Sequence, residues 1–340
     1  MPKSFSFIIF GASGDLTKRK LFPALLDLFS EKRLPEKFEI VGIGRTPYSD
    51  LEYRNYQLRQ LPKYIKPEIW NNELVNSFIS HIRYETMDPA KEEEYPALVE
   101  HLKTSNSESV IYYLATPPLL YGVIPQHLKA FGLNDENTRI IVEKPFGYDL
   151  TSAKQLNDIY RDAFQEQQVY RIDHFLGKET AQNILAFRFA NSIFEPIWNR
   201  NYIDYVEITS VENLGIENRG GYYETAGTMR DMVQNHLVQL LALCAMEPPV
   251  KFDADSFRNE IVKVYDSLVP LTEDYIRENV IRGQYIAGGD KVGYRQETHV
   301  APDSRVETFF AMKAEIDNWR WSGVPFFFRV GKQMPTKVTE

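Results

Sequence analysis

Phe5-Ser-Phe-Ile-Ile-Phe-Gly-Ala-Ser-Gly14 decides the fold. Its first six residues are β-prone and nearly all apolar, as a parallel strand buried on both faces must be. Gly11-Ala-Ser-Gly14 then turns the chain, and Leu16, Leu21, Leu25, Leu26 and Phe29 recur at helical spacing. Strand, glycine turn and helix in that order make the first βα unit of a nucleotide-binding fold. Glycines let backbone approach a pyrophosphate, and a helix N-terminus offers it free N–H groups. The spacing is G-x-x-G instead of G-x-G-x-x-G, which is a weaker signal, so a plain tight turn stays open.

The pattern repeats outward from this unit. Glu39–Gly44 reads as a second strand with Arg45 at its end. An acid at that point would suit the ribose 2′-hydroxyl of NAD; an arginine suits the 2′-phosphate of NADP. A helix is expected over residues 52–75, a strand from Ile79 to Glu85 and a helix from Glu92 to Lys103. Val110–Ala115 is a strong strand, Tyr121–Phe131 a helix, and Arg139–Val142 a strand running into Glu143-Lys144-Pro145. Lys144 thus stands at the carboxyl end of a strand, where ligands of doubly wound sheets lie. Alternation of β and α implies a parallel sheet with right-handed crossovers.

After residue 151 the alternation fades. Thr151–Gln167 reads as a helix with Thr151 as N-cap, and Met229–Met246 as a long amphipathic helix. Tyr205–Glu212, Val306–Ile316 and Pro325–Val330 read as longer strands. The expected fold class is therefore a Rossmann-like α/β domain, residues 1–165, followed by an α+β domain, residues 166–340, with a mostly antiparallel sheet.

Composition narrows the function. A net charge of −8 over 340 residues argues against nucleic acid as the main partner. The single cysteine, Cys244, excludes intramolecular disulfides and a cysteine-based zinc site, and its apolar surroundings suggest a buried thiol. No metal site is expected. No apolar run is long enough to span a membrane, and the N-terminus reads as a strand instead of a signal peptide, so a cytoplasmic location is expected.

Arg171-Ile-Asp-His-Phe-Leu-Gly-Lys-Glu179 interleaves charges with apolar Ile172, Phe175 and Leu176. Ionisable groups beside buried surface need partners, so the stretch is either an ion-pair cluster or a site. A chain turning helical near Asp173 would put His174 and Lys178 on one face as an anion site. Asp173 would then be free to orient another base. Asp231-Met-Val-Gln-Asn-His236 offers one. A histidine on an apolar helix is often only a satisfied core residue, and that alternative stays open. Asp231 and His236, five apart, align poorly on an α-helix, which leaves Asp173 as the available carboxylate for His236.

Six motifs in order resemble the glucose-6-phosphate dehydrogenase family: Gly11-Ala-Ser-Gly-Asp-Leu16, Glu143-Lys-Pro-Phe-Gly147, Arg171–Glu179, Arg219-Gly-Gly-Tyr-Tyr223, Asp231–His236 and Val324-Pro-Phe-Phe-Phe-Arg-Val-Gly-Lys332. The resemblance implies His236 as general base, Asp173 as its orienting partner, and His174, Lys178 and Lys332 as phosphate ligands of glucose 6-phosphate. It implies Glu212 and Asp231 on sugar hydroxyls, and Gly11, Ser13, Gly14, Asp15, Leu16 and Arg45 on NADP. Lys144 would bridge substrate and cofactor, with Pro145 at the hinge that sets it. In the full-length family it implies a homo-oligomer, a dimer or tetramer.

Two departures stand out. Phe175 replaces the family's tyrosine, which predicts one hydroxyl fewer for the phosphate and weaker substrate binding with the chemistry intact. A hydrogen bond to a charged group contributes roughly 1.5–3 kcal/mol. The family's chains also continue beyond the point where this one stops, so a C-terminally truncated chain is expected. It would lack part of the second sheet, part of the dimer interface and further sugar contacts, with an expected cost in stability or activity. Two other readings compete: a sugar dehydrogenase like glucose–fructose oxidoreductase, and a non-catalytic NADP-binding fragment.

Overall fold

Every residue of Ser4–Phe10 except the first is buried. In the computed structural model, which describes residues 3–65, 67, 70–105, 107–173 and 175–340, this segment is the central strand of a sheet. The run is apolar because both its faces are covered. Ile8 and Phe10 enter one core with Tyr112, Leu114 and Val142; Phe5, Phe7 and Ile9 enter a second core with Ile40 and Ile82.

The strands of this first sheet are β1 (Ser4–Phe10), β2 (Lys37–Gly44), β3 (Ile82–Thr86), β4 (Ser109–Leu114), β5 (Thr138–Val142) and β6 (Val169–Arg171). Their order is β3-β2-β1-β4-β5-β6, and every pairing is parallel. The reversal of direction beside β1 is the switch point at which doubly wound folds bind ligands.

Local chemistry moves several expected boundaries. The helix expected over 52–75 is two helices, Asp50–Gln60 and Asn72–Ser80. Pro62 and Pro67 lie between them, and neither can donate to a helical ladder. Ile79 belongs to the second helix, so the strand starts at Ile82. The later helix starts at Leu150, capped by Asp149 and not by Thr151. Asp149 Oδ1 accepts from the Ser152 N–H at 2.7 Å while Ser152 Oγ accepts from the Asp149 N–H at 3.0 Å, a reciprocal capping box.

The chain divides into two compact units, Met1–Ile172 and Asp173–Glu340. This division falls after the expected 165/166 boundary because β6 adds to β5, with Val169 opposite Ile140.

The second unit is built on β7 (Val206–Val211), β8 (Val280–Gly283), β9 (Phe309–Glu315), β10 (Pro325–Gly331) and β11 (Val338–Thr339). Their order is β11-β7-β10-β9-β8; only β7 with β10 is parallel. One face packs Ile208, Phe310, Met312, Phe326 and Phe328 against Leu240, Leu241 and Val264 of the helices. Trp321 is fully buried and donates its indole N–H to the Ala245 carbonyl at 2.8 Å. The helix expected over 229–246 is wound in two ways. Met229–Leu237 is a π-helix, and Val238–Ala245 is an α-helix.

Candidate active site

In the first unit the glycine turn closes onto its neighbouring strands. The Gly11 and Ala12 N–H groups both donate to the Ile43 carbonyl at 2.9 Å, and the Gly14 N–H donates to the Gly11 carbonyl at 2.9 Å. Gly11 has φ +88°, and a Cβ there would lie 2.3 Å from the Ala115 carbonyl oxygen. Only glycine fits. Gly11→Ala is therefore expected to destabilise this unit by at least about 1–3 kcal/mol, the usual cost of a strained backbone. Calorimetry would read this as a lower melting temperature, and an unchanged one would refute the steric argument.

The turn also meets the end of β2. A Cβ on Gly44 would lie 2.7 Å from the Tyr84 hydroxyl and 3.3 Å from Ser13 Oγ. Arg45, exposed, is the next residue. Gly11, Ser13, Gly14 and Arg45 are thus gathered at the carboxyl edge of the sheet. Leu16 packs into the core beneath, and Asp15 is drawn outward to Lys18 at 2.8 Å and Arg19 at 2.7 Å. At the end of β4, Thr116 is buried and its hydroxyl has no hydrogen-bond partner among the described residues. An orphaned hydroxyl at that edge fits a ligand there. Lys144 follows β5 at the same edge, half-buried.

In the second unit Asp173 and His236 come together. His236 Nδ1 lies 2.7 Å from Asp173 Oδ1, and the imidazole is 1% exposed. An ionised carboxylate only accepts, so Nδ1 carries the proton and Nε2 is left basic. The Phe175 N–H also donates to Asp173 Oδ1, at 2.9 Å. The Phe175 ring, buried, stacks on the imidazole with centroids 4.0 Å apart and planes at 18°. Lys178 Nζ lies 3.5 Å from the centre of the same ring. His174 lies outside the described residues.

The remaining expected residues form two further contacts. Lys332, 4% exposed, pairs with Glu212. Asp231, 6% exposed, accepts a hydrogen bond from the Tyr222 hydroxyl at 3.1 Å. Asp231 and His236 share the π-helical stretch, whose i→i+5 ladder brings residues five apart nearer one face than an α-helix would. The poor alignment expected from α-helical spacing thus does not hold here.

Two tyrosines enter unexpectedly. Burial, reinforced by Asp231, pushes the Tyr222 phenol pKa up; it belongs to the Arg219–Tyr223 motif, the one signal that could have marked it. Tyr265 is pushed up by burial and by Asp173, and no pattern in the sequence points to it. Cys244 is a free thiol, raised to about 11 by burial. Among the described residues no group of three or more His, Cys, Asp or Glu is placed to hold a metal ion. No helix there is long and apolar enough to cross a membrane.

A parallel β3-β2-β1-β4-β5-β6 sheet with its glycine turn, followed by a unit carrying a carboxylate–histidine pair, defines a dinucleotide-binding oxidoreductase. Residues 8–183 match the family model described as glucose-6-phosphate dehydrogenase, NAD binding domain, and residues 185–340 match its C-terminal domain. The glucose-6-phosphate 1-dehydrogenase of Aggregatibacter actinomycetemcomitans is 50% identical over 345 residues, spanning 98% of this chain and 69% of that protein. The Bacillus subtilis (strain 168) enzyme of the same name is 45% identical, spanning 100% of this chain and 70% of its own. A solved glucose-6-phosphate dehydrogenase in complex with its substrate glucose-6-phosphate superposes with a TM-score of 0.90 at 36% identity, over 98% of this chain and 69% of that one. The chain belongs to the glucose-6-phosphate dehydrogenase family.

Proposed function

We propose that the chain oxidises glucose 6-phosphate at C1 to 6-phosphogluconolactone with NADP, the reaction that opens the oxidative pentose phosphate pathway. The observation that carries this reading is the 2.7 Å contact between Asp173 and the nearly inaccessible His236. With Nδ1–H held by the carboxylate, Nε2 takes the proton of the C1 hydroxyl. Bound NADP supplies the hydride acceptor. The C1–H bond breaks with its electron pair leaving as hydride, the C1–O bond becomes a carbonyl, and the proton stays on His236. Asp173 then faces an imidazolium and offsets its charge.

The first unit supplies the cofactor's cradle: Gly11, Ser13 and Gly14 for the pyrophosphate, with Asp15 and Leu16 at the start of the helix. Arg45 favours a 2′-phosphate, hence NADP over NAD. Lys144 reaches for both cofactor and sugar. Lys178, exposed above Phe175, takes the sugar phosphate with His174 and Lys332. Glu212 and Asp231 accept from sugar hydroxyls. Lys332 pairs with Glu212, which compensates its buried ammonium.

NADPH formation with glucose 6-phosphate against glucose tests the phosphate assignment. Glucose should be a far poorer substrate. Lys178→Ala should raise KM for the phosphate sugar by about ten- to a hundredfold, the value of one charge-assisted hydrogen bond. Equal use of both sugars, with KM unmoved by Lys178→Ala, would overturn it.

A further inference from the structure

The sequence gives Phe175 only a negative role, as a lost hydroxyl. The structure gives it three contacts. Its N–H donates to Asp173 Oδ1 at 2.9 Å, its ring stacks on His236 at 4.0 Å, and Lys178 Nζ lies 3.5 Å from the ring centre. Both groups are too close to the centre to share one face, so the ring is sandwiched between them. The 18° interplanar angle makes the imidazole contact a stack instead of an edge contact. The ring is 7% exposed and belongs to the main core cluster of this unit, so it does not swing.

Two hydrogen-bonded side chains can pivot about the bond between them. The imidazole can turn about its Nδ1–Asp173 contact unless a flat surface stops it. We propose that Phe175 is a positioning residue for the reaction above, its ring fixing the plane of His236 while its N–H fixes the carboxylate that His236 faces. This rests on the proposed dehydrogenase reading. The stack also suits the chemistry, because an aromatic face attracts the imidazolium more than the neutral imidazole. Lys178 on the far face competes for that attraction until a phosphate draws it away. A six-membered aromatic ring is all this role requires, so tyrosine serves as well as phenylalanine.

The test uses the full chain, with Phe175→Leu, Phe175→Tyr and, should the leucine variant not fold, Phe175→Met. NMR of histidine-labelled protein reads the stack directly, with the His236 signal identified by its loss in His236→Asn. A stacked ring shifts the imidazole CH resonance upfield. That shift should disappear with Leu or Met and persist with Tyr. In the NADPH assay kcat should fall roughly tenfold with Leu or Met and be restored by Tyr, while KM for NADP stays put. A vanished upfield shift with kcat unchanged overturns the positioning role. So does an upfield shift that survives in the leucine or methionine variant, or a tyrosine variant no better than leucine. Absence of glucose 6-phosphate turnover in the wild type would instead remove the dehydrogenase reading and, with it, the catalytic half of this one; the NMR arm still decides whether the stack exists.

Discussion

His236→Asn is expected to lower kcat for glucose 6-phosphate by roughly 10²–10⁴-fold, the range that a positioned general base contributes. Asparagine matches imidazole poorly in reach but keeps a polar group, so the pocket is not left with an unfilled apolar cavity. It cannot accept a proton at neutral pH. The side chain is 1% exposed, so bulk water is a poor substitute for the missing base. Dinucleotide affinity should not change, because the glycine turn and Arg45 are in the other unit. Equilibrium binding of NADP and the initial rate of NADPH formation check the two halves separately. Turnover within a few-fold of wild type would remove His236 from the base role.

Asp173→Asn should cost less, up to about 10³-fold in kcat, and Asp173→Ala should cost more. Oδ1 of Asp173 accepts two N–H groups, from Phe175 at 2.9 Å and from His236 Nδ1 at 2.7 Å. Two donors at one position favour an oxygen there, so the amide of asparagine should keep its oxygen in place and preserve the reactive tautomer. What it loses is charge. An ion pair some 4 Å apart is worth about 4 kcal/mol at an effective dielectric of 20, equivalent to about 10³ in rate if spent wholly on the imidazolium. Alanine loses the charge and the tautomer control together. Rates of the three proteins under saturating substrate give the order; asparagine as slow as alanine would show that the charge, not the tautomer, dominates.

Much of the first unit was legible because its physics is local. Buried parallel strands are apolar at nearly every position, and β1 declares itself within six residues. The turn after it is equally readable, since the +88° φ of Gly11 tolerates only glycine. The shift of the boundary from 165 to Ile172 has the opposite cause. Val169–Arg171 is three residues long, and only its partner β5 makes it a strand. In the second unit the pairing of Asp173 with His236 was reachable by elimination, because Asp231 fails on α-helical spacing. The elimination used a helix type that the chain does not adopt there. Phe175 was legible only in part: comparison with a tyrosine draws attention to the missing hydroxyl, whereas the ring's stack on His236 is visible only in the fold. Tyr265 senses the charge of Asp173 from a helix some ninety residues away, beyond any periodicity.

The π-helical winding of Met229–Leu237 has a consequence for how this region tolerates change. A π stretch is an α-helix carrying surplus residues per turn, so its register depends on length as well as on composition. Winding the same residues as α would turn each from the next by about 100°, so His236 would rotate away from the face it shares with Asp231 with every side chain still present. Losing one residue between them along with that change would leave the two four apart and restore a shared face. The aim of the base is set by a count of residues.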